Sequence, residues 1–309
     1  MKVAMCGTWH VHAYDYIKYA LRDAEVIGAF DEDPEKLAAF CKVFPVKALN
    51  SFEELLNSEA EGVIVCSSTN RHAEDMVKIA ESGKGIFTEK VLALSTEECL
   101  RIEKAVHDSG VPFVISLVQK FTPGQRTVKQ IADSGILGDL NYFRYRNCHD
   151  GSTGRWLPSH FFSGKECGGG AMIDLGAHGM YLLDWFMGLP ENAKSTFTVF
   201  DRNELNQDHL EDNAVTVFGY EDGRIGISET GFVSTGCPQR LEVGGTRGYA
   251  VYENGKVFLS TGNEMKEVPA VEELPSPIEQ FLSGKILPGC GMEEAKRLTR
   301  LMEMAYGNR

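Results

Sequence analysis

The sequence predicts an α/β protein of two domains, the first a doubly wound parallel sheet and the second an α+β domain with a large, mostly antiparallel sheet. Up to residue 120, short apolar runs alternate with amphipathic segments of helical spacing, which is typical of a parallel sheet covered on both faces. From residue 195 onward, strand-like runs follow one another, separated by hairpin signals at Asp222-Gly223 and Asn254-Gly255. A chain of 309 residues accommodates two such domains. We therefore predict domains at 1–120 and 121–309.

The composition argues against several classes of partner. The net charge of −13 argues against a nucleic-acid partner, which requires clustered Lys and Arg. The N-terminus lacks the pattern of a signal peptide, and no run of about eighteen apolar residues occurs, so we expect a cytoplasmic protein with no membrane partner. The eight cysteines are scattered without CxxC spacing, which predicts reduced thiols and no metal site.

The first strand-like run, KVAMC, ends at a glycine turn that precedes a helical segment. The three glycine slots of a GxGxxG fingerprint fall on Gly7, Trp9 and His12, so only the first glycine is present. We expect Gly7 to form the tight turn and the amides of residues 8–12 to face a pyrophosphate at the helix N-terminus. Trp9 would line the pocket and His10 or His12 would bind a phosphate; alternatively, these rings pack against the next loop. The predicted cofactor-binding residues of this turn are Gly7, Thr8, Trp9 and His10.

An acidic residue follows the second strand, EVIGAF. Strand, glycine turn, helix, strand and acidic residue is the order of a Rossmann dinucleotide-binding unit. The carboxylate of Asp31 would accept hydrogen bonds from the adenosine ribose and repel a 2′-phosphate, and Glu32 and Asp33 add to that repulsion. A basic residue that would bind a phosphate is missing nearby. The sequence therefore favours NAD over NADP as the cofactor.

Three further strands are predicted in the first domain, at EGVIVCSS, GIFTEK and VPFVISLV. Ligands of parallel sheets bind at the carboxyl ends of the strands. Polar residues cluster after two of these strands, and we predict that they contact the cofactor. They are Ser67, Ser68, Asn70 and His72 after one strand, and Glu89 and Lys90 after the next.

The second half contains an apolar, helix-like run over residues 171–187, introduced by three consecutive glycines at 168–170. Asp174 and His178 lie four apart on this run, which would place them on one face of a helix as an acid/base pair. The glycines would keep the space in front of the pair open for a small polar substrate. Alternatively, this is a buried helix in which the aspartate and the histidine have structural roles.

Three segments, CSSTNRHAEDMVKIAESGKGIFTEK, VQKFTP and GGGAMIDLGAH, resemble the glucose-fructose oxidoreductase, inositol dehydrogenase and MocA (Gfo/Idh/MocA) family of two-domain NAD(P)-dependent oxidoreductases. The resemblance covers nearly the whole chain. It implies that Lys90 is the catalytic lysine and that Asp174 and His178 are the catalytic aspartate and histidine. The chain departs from the family pattern at Val91, where the family has a proline, and at Tyr181, where the family usually has an acidic residue.

The resemblance implies an NAD-dependent dehydrogenase that acts on a secondary alcohol of a sugar, polyol or related small molecule. His178 would be the general base, Lys90 would hydrogen-bond the reacting oxygen, and Asp174 would orient His178 or bind a neighbouring hydroxyl. Two alternatives stay open: a redox-neutral, NAD-dependent enzyme that cleaves or eliminates glycosides, and a non-catalytic NAD-binding sensor. Related enzymes usually cover the free face of the C-terminal sheet by oligomerising, which implies a homodimer or homotetramer.

A long irregular stretch from residue 148 to residue 170 precedes the helix-like run and is rich in Gly, Ser, His and aromatic residues. Loops of this length are usually functional, so we expect this one to line the substrate pocket. Trp156 would stack on a sugar face or, alternatively, anchor the loop. The predicted substrate-binding residues are Lys120, Trp156, His160, Asp174 and His178.

Overall fold

The computed structural model describes residues 1–202 and 204–307 of the chain. These residues form two compact units. Unit 1 comprises Met1–Ser116 and Pro275–Thr299, and unit 2 comprises Leu117–Leu274 with the described residues from Arg300 onward. The first boundary lies close to the division predicted at residue 120. The predicted second domain, by contrast, was continuous over 121–309, whereas the segment from Pro275 to Thr299 belongs to unit 1.

Unit 1 contains a five-stranded sheet in which every neighbouring pair of strands is parallel. The strands are β1 Lys2–Cys6, β2 Glu25–Phe30, β3 Gly62–Val65, β4 Gly85–Thr88 and β5 Phe113–Ile115. Their order across the sheet is β2-β1-β3-β4-β5. The strand order therefore reverses between β1 and β3, and ligands of such sheets bind at this point, outside the carboxyl ends of the strands. The predicted Rossmann-like fold is confirmed.

Helices follow the strands of unit 1 along the chain, and one more comes from the C-terminal segment. They are α1 Ala13–Asp23, α2 Pro34–Val43, α3 Phe52–Leu56, α4 His72–Glu81, α5 Thr96–Ser109 and, from the C-terminal segment, α9 Pro277–Ser283. Asp33 caps α2, Ser51 caps α3 and Ser95 caps α5, each through a side-chain oxygen that accepts a backbone N–H of the first turn. The last helix of the chain, α10, spans Met292–Tyr306.

Helix α9 shows why the C-terminal segment belongs to unit 1. Its Phe281 is buried, and the ring centroids of Phe281 and Phe87 in β4 are 6.0 Å apart. A Cβ on Gly62 in β3 would lie only 2.6 Å from the Phe281 ring, so the glycine leaves the space that this ring fills. No helix was predicted in this segment. The contacts of Phe281 with Phe87 and Gly62 join residues about two hundred positions apart, and local sequence patterns carry no signal for such contacts.

Unit 2 contains an eight-stranded sheet, which confirms the predicted α+β architecture. The strands are β6 Leu140–Cys148, β7 Asn192–Thr198, β8 Asn213–Gly219, β9 Ile225–Gly231, β10 Arg240–Gly245, β11 Tyr249–Glu253, β12 Lys256–Ser260 and β13 Met265–Val268. Their order is β13-β12-β11-β10-β6-β9-β8-β7. All neighbours are antiparallel except β6 and β9, which are parallel. Strand β13 was not predicted; it is a short edge strand of mostly exposed residues.

The apolar run that carries Asp174 and His178 packs on this sheet, but it is not the regular helix predicted over 171–187. A π-helical turn, Met172–Gly176, leads into the α-helix α8, Ala177–Met187. A Cβ on Gly179 would lie 2.4 Å from the Ser228 hydroxyl in β9, so the glycine permits close contact between helix and sheet. The other helices of this unit are α6 Pro123–Asp133 and the short α7 Gly164–Cys167.

None of the helices in the described part of the chain has both the length and the apolar composition to cross a bilayer.

Candidate active site and cofactor groove

The turn after β1 requires glycine for two reasons. Gly7 has a φ of +83°, which side-chain-bearing residues rarely adopt, and a Cβ at this position would lie 2.4 Å from the Ser67 amide nitrogen. The turn after β1 and the turn after β3 are thus in direct contact. The residues predicted to bind the cofactor on these two turns therefore share one edge of the sheet.

The amides of this turn point into the protein, which corrects the expectation that they face a pyrophosphate. The Thr8 amide donates to Asp31, and the amides of Trp9 and His10 both donate to the Cys66 carbonyl, each over 3.1 Å. The His12 amide donates to Nδ1 of His10 over 3.2 Å. Because four of the five amides bind protein acceptors, the turn does not present the predicted row of donors. The rings of Trp9 and His10 are buried.

Asp31 lines a groove of about 840 Å³ at the end of β2. Its Oδ2 accepts from the amide and the hydroxyl of Thr8, each over 2.7 Å, and its Oδ1 accepts from the Asp33 amide over 2.9 Å. The volume of the groove is in the range of small-molecule sites. Its lining combines apolar side chains with a few polar ones: Phe30, Asp31, Glu32, Pro34, Leu37, Ala38, Ala48, Leu49, Asn50, Ser51 and Phe52.

A basic residue does lie near this groove, contrary to the expectation from the sequence. Arg71, which precedes α4, places its guanidinium 2.5 Å from the Glu32 carboxylate and 3.2 Å from that of Asp75. The Glu74 carboxylate lies 4.0 Å away, so three carboxylates offset the charge of Arg71. The sequence did not indicate this contact, because Arg71 is 39 positions from Glu32. The two residues meet because the turns after β2 and β3 lie close together in the fold.

The polar residues after β3 form local hydrogen bonds. The Ser67 hydroxyl donates to Asp75, and the Ser68 hydroxyl donates to Asn70, each over 2.7 Å. His72 is buried, with Nδ1 3.1 Å from the Leu92 carbonyl and Nε2 3.1 Å from the Ser67 carbonyl. Burial lowers the pKa of His72 despite these carbonyls, so the ring is neutral and donates from one nitrogen at a time. Through His72 the loop after β3 is tied to the loop that follows Lys90.

Glu89, at the end of β4, is a buried carboxylate with several partners in unit 1. Its Oε1 accepts from the Tyr16 hydroxyl and lies 2.8 Å from Nδ1 of His12, and its Oε2 accepts the Lys90 amide over 3.0 Å. Burial alone would raise the pKa of Glu89, but the charges of His10 and His12, the hydrogen bond from His12 and the charge of Lys90 hold that pKa well below its usual range. Glu89 is therefore ionised at neutral pH.

The same cluster contains the one group of potential metal ligands found in the described ranges. Ligand atoms of His10, His12 and Glu89 all lie within 4.8 Å of one another. The Nδ1 of His10 already accepts the His12 amide, and Oε1 of Glu89 already accepts the Tyr16 hydroxyl. A metal ion would have to displace these hydrogen bonds, so we read the cluster as a hydrogen-bonded network, and the expectation of no metal stays a prediction.

Lys90 follows this network directly and is buried, with 6% of its surface exposed. The peptide bond between Lys90 and Val91 is cis. Because its own amide is bound by the Glu89 carboxylate, the backbone of the lysine is held by a charged group. The predicted catalytic lysine thus occupies the carboxyl end of β4, where ligands of parallel sheets bind.

In unit 2 the predicted acid/base residues lie on the π turn and on α8. Asp174 belongs to the π turn, and His178 stands in the first turn of α8 with 7% of its surface exposed. The Nδ1 of His178 lies 2.8 Å from the Tyr181 hydroxyl. That hydroxyl accepts the backbone amide of Gln119 over 3.1 Å. The prediction that Asp174 and His178 share one face assumed the regular spacing of an α-helix, and the π turn changes that spacing. Turns of this kind are frequent at functional sites.

The glycines before the π turn do not open a substrate space, which corrects the prediction. A Cβ on Gly169 would lie 2.2 Å from the Tyr306 hydroxyl, and one on Gly170 would lie 2.0 Å from the Glu211 carbonyl oxygen. The Glu211 carboxylate accepts the amides of Gly170 and Met172 and the hydroxyl of Tyr306. The space is therefore filled by the Tyr306 side chain and the Glu211 backbone, and the side chains of both residues hold the start of the helical segment.

The three remaining predicted substrate residues have distinct surroundings in unit 2. Lys120 is buried, with Nζ 5.6 Å from the centre of the Trp185 ring. Trp156 is 53% exposed, and its Nε1 donates to Asp150 over 2.9 Å, so the loop holds one edge of an otherwise accessible ring. The His160 ring centroid is 5.2 Å from that of Phe161.

Sequence reasoning missed four residues that support these groups: Tyr16, Gln119, Glu211 and Tyr306. Tyr16 could have been found, because it lies four positions after His12 on a predicted helix and therefore on the same face. Glu211 and Tyr306 meet across 95 positions, for which the sequence carries no local signal.

Two family models match the chain. The model described as "Oxidoreductase family, NAD-binding Rossmann fold" matches residues 1–116, and that described as "GFO/IDH/MocA C-terminal domain" matches residues 125–251. Between them they cover most of the chain.

Known proteins with similar sequences and structures agree with these models. The scyllo-inositol 2-dehydrogenase (NAD(+)) of Bacillus subtilis (strain 168) is 28% identical over 212 residues, 68% of this chain and 58% of the relative. The 2,7-anhydro-N-acetylneuraminate hydratase of Escherichia coli (strain K12) is 24% identical over 224 residues, 70% of this chain and 58% of the relative. Levoglucosan dehydrogenase, solved in complex with NADH, has a TM-score of 0.83 at 17% identity and covers 100% of this chain and 96% of its own.

The alignments with curated relatives are partial, since the chain spans only 32% to 64% of the full length of three such relatives, the Bacillus subtilis enzyme among them. At 17% identity the structural likeness shows the fold alone. The two family models are sufficient for the family itself. The chain belongs to the Gfo/Idh/MocA family of oxidoreductases, whose N-terminal domain is an NAD-binding Rossmann fold.

Proposed function

We propose that the chain is an NAD-dependent dehydrogenase that transfers a hydride between a secondary alcohol of a sugar, polyol or related small molecule and nicotinamide. The observation that carries the proposal is the setting of His178. Its ring is buried and held at Nδ1 by a hydroxyl, as a proton-transferring imidazole requires. The relative named scyllo-inositol 2-dehydrogenase (NAD(+)) supports the substrate class.

The groove at the end of β2 fits the adenosine part of NAD. Asp31 would accept hydrogen bonds from ribose hydroxyls, and the carboxylates of Asp31 and Glu32 would disfavour a 2′-phosphate. Ser67, Ser68 and Asn70 are the side chains that we assign to the phosphates, because Thr8, Trp9 and His10 use their amides within the protein. His72 would act indirectly, by fixing the loops. Bound NAD supplies the acceptor for the hydride.

The residues of the chain would then move the proton and hold the reacting oxygen. His178 would take the hydroxyl proton at Nε2, because Nδ1 is bound to Tyr181. Lys90 would donate to the reacting oxygen and stabilise the negative charge that develops on it. Asp174 would orient the imidazole or bind a neighbouring hydroxyl. Lys120, Trp156 and His160 remain our candidates for binding the rest of the substrate.

The free face of the eight-stranded sheet supports the proposed homodimer or homotetramer. Exposed apolar side chains, among them Val217 and Ile225, occupy this face of β8 and β9. Next to them, Arg144 forms ion pairs with Glu229 at 2.8 Å and with Glu242 at 3.3 Å. Arginine is among the residue types that are enriched at interfaces between proteins. We keep the cytoplasm as the proposed location.

NADH formation by the purified protein tests the proposal. Inositols, sugars and sugar acids would be offered with NAD and with NADP, and absorbance would be followed. We expect turnover with NAD, and a loss of about a hundredfold or more in kcat on Lys90→Ala and on His178→Ala. The exposed residues Lys104 and His107 in α5 provide matched controls, Lys104→Ala and His107→Ala, which should retain full activity.

The same experiment also tests two alternative functions, each of which is favoured by one observation. The relative named as a hydratase suggests a redox-neutral reaction, in which product would form without net NADH. The inward-facing amides of the turn after β1 suggest a sensor that binds NAD but turns nothing over. Product detection by mass spectrometry separates the first from the dehydrogenase. Tight NAD binding with no product from any compound, unaffected by Lys90→Ala, would favour the sensor and overturn the proposal.

A further inference from the structure

We propose that Tyr181 is a positioning residue for His178, a neutral partner that holds the imidazole in each of its protonation states. The contact joins two residues three positions apart on α8, with 2.8 Å between the Tyr181 hydroxyl and Nδ1 of His178. The two rings meet edge to face at 73°, with centroids 5.6 Å apart. The catalytic consequence rests on the proposed function, whereas the contact itself can be tested without it.

The Tyr181 hydroxyl is fixed from its other side by a rigid partner. It accepts the backbone amide of Gln119 over 3.1 Å, and the tyrosine is buried. Gln119 is in turn held by the buried Gln125, whose side-chain amide donates to Oε1 of Gln119 over 2.8 Å. The Thr122 hydroxyl donates to the Gln119 carbonyl over 3.0 Å. The tyrosine hydroxyl therefore links the histidine ring to a backbone turn that is itself held by hydrogen bonds.

The chemistry of the three groups decides what this chain of contacts can do. A backbone amide can only donate, so the oxygen of Tyr181 accepts from Gln119 and retains a second lone pair and its own hydrogen. When Nδ1 of His178 carries a proton, the ring donates to that lone pair. When Nδ1 is bare, the hydroxyl donates to the ring.

The ring is thus held in both neutral tautomers and in the protonated form. A carboxylate in the same place would bind only forms that carry a proton on Nδ1, and it would add a negative charge. A hydroxyl keeps the ring in place both when His178 takes a proton, as alcohol oxidation requires, and when it returns one, as ketone reduction requires. We therefore expect Tyr181 to affect turnover in the two directions by similar factors.

The substitution Tyr181→Phe removes the hydroxyl and keeps the ring. We expect kcat to fall by roughly tenfold in both directions. This loss is smaller than the loss of about a hundredfold or more that removing an acid/base group itself causes. We expect KM and the Kd of NAD to change by less than about twofold. Tyr220→Phe is the matched control. Tyr220 is also buried, and its hydroxyl donates to the carbonyl of Gly188, just after the same helix, over 2.8 Å. We expect this control to lose some stability but to keep its kcat.

Nitrogen NMR of protein labelled with 15N-histidine measures the contact without any substrate. The His178 signal is identified by its loss in His178→Gln. In Tyr181→Phe we expect the Nδ1 resonance of His178 to move while those of the other histidines stay in place, and in Tyr220→Phe we expect no movement. If Tyr181→Phe does not fold by circular dichroism, Tyr181→Gln takes its place, and the Nδ1 resonance should again move.

An Nδ1 resonance that stays unchanged on loss of the hydroxyl would overturn the positioning role, whatever the activity. An unchanged kcat together with a moved resonance would overturn the catalytic part of the inference. A moved resonance in a protein that oxidises none of the offered alcohols would leave the contact established and count against the proposed dehydrogenase instead.

Discussion

Thr8 binds Asp31 twice, because its amide and its hydroxyl each donate to Oδ2 of the carboxylate over 2.7 Å. The other oxygen accepts the Asp33 amide over 2.9 Å. A carboxylate held on both oxygens cannot turn away from the groove beside it. Its negative charge therefore stays where Rossmann folds bind the adenosine ribose.

Removing this charge should change the choice between NAD and NADP. For Asp31→Asn we expect weaker NAD binding, stronger NADP binding and a change in the ratio of the two Kd values of about tenfold or more. The reason is that two unit charges 4 Å apart near a protein surface interact by about 4 kcal/mol. Calorimetric titration with each cofactor measures the ratio. Asp108→Asn, at an exposed aspartate of α5, is the control: it should keep the ratio, and an equal ratio in both variants would contradict the assignment.

The contact between Glu211 and Tyr306 should stabilise unit 2. For Glu211→Gln we expect the free energy of unfolding to fall by about 1–3 kcal/mol, because the amides of Gly170 and Met172 lose a charged acceptor. Urea denaturation measures the change, with the exposed Glu264→Gln as the control. In a double-mutant cycle with Tyr306→Phe, a coupling below about 0.5 kcal/mol would show that the two side chains act independently.

Gly170 should tolerate no side chain, for reasons of packing. A Cβ there would lie 2.0 Å from the Glu211 carbonyl oxygen, so we expect Gly170→Ala to destabilise the protein by about 1–3 kcal/mol or to prevent folding. Gly262, which has nothing within 4 Å of a built Cβ, provides the matched substitution Gly262→Ala. Thermal melts of the two variants should differ clearly. Similar melting temperatures for Gly170→Ala and Gly262→Ala would instead support the prediction that the glycines face an open space.

Glu89 should make the stability of unit 1 depend on acid pH. Its pKa is well below the ordinary value of 4.5, so its ionised form stabilises the fold above that value, and this stabilisation is lost as the pH falls through the folded-state pKa. We expect wild type to be more stable than Glu89→Gln at pH 6 and the difference to shrink below about pH 4.5. Urea denaturation between about pH 6 and pH 3 tests this. A difference independent of pH would mean that the charge of Glu89 does not contribute.

The sequence by itself determined the fold class and the glycine turn after β1. Both depend on local physics. The alternation of apolar runs reports which faces are buried, and a tight turn with a positive φ after a strand requires glycine. The candidate residues Lys90, Asp174 and His178 were also named from the sequence, through the family resemblance.

Tertiary structure alone decided how the candidate groups are held. The amides of the turn after β1 bind Asp31 and Cys66 because β1 lies between β2 and β3, an adjacency that local patterns do not encode. Phe281 fills the space over Gly62, and Tyr306 reaches Glu211, across chain separations that carry no periodic signal. His178 is bound by Tyr181 and Tyr181 by Gln119, because α8 packs beside the turn at residues 118–120. These contacts become possible only when packing brings distant segments within hydrogen-bonding distance.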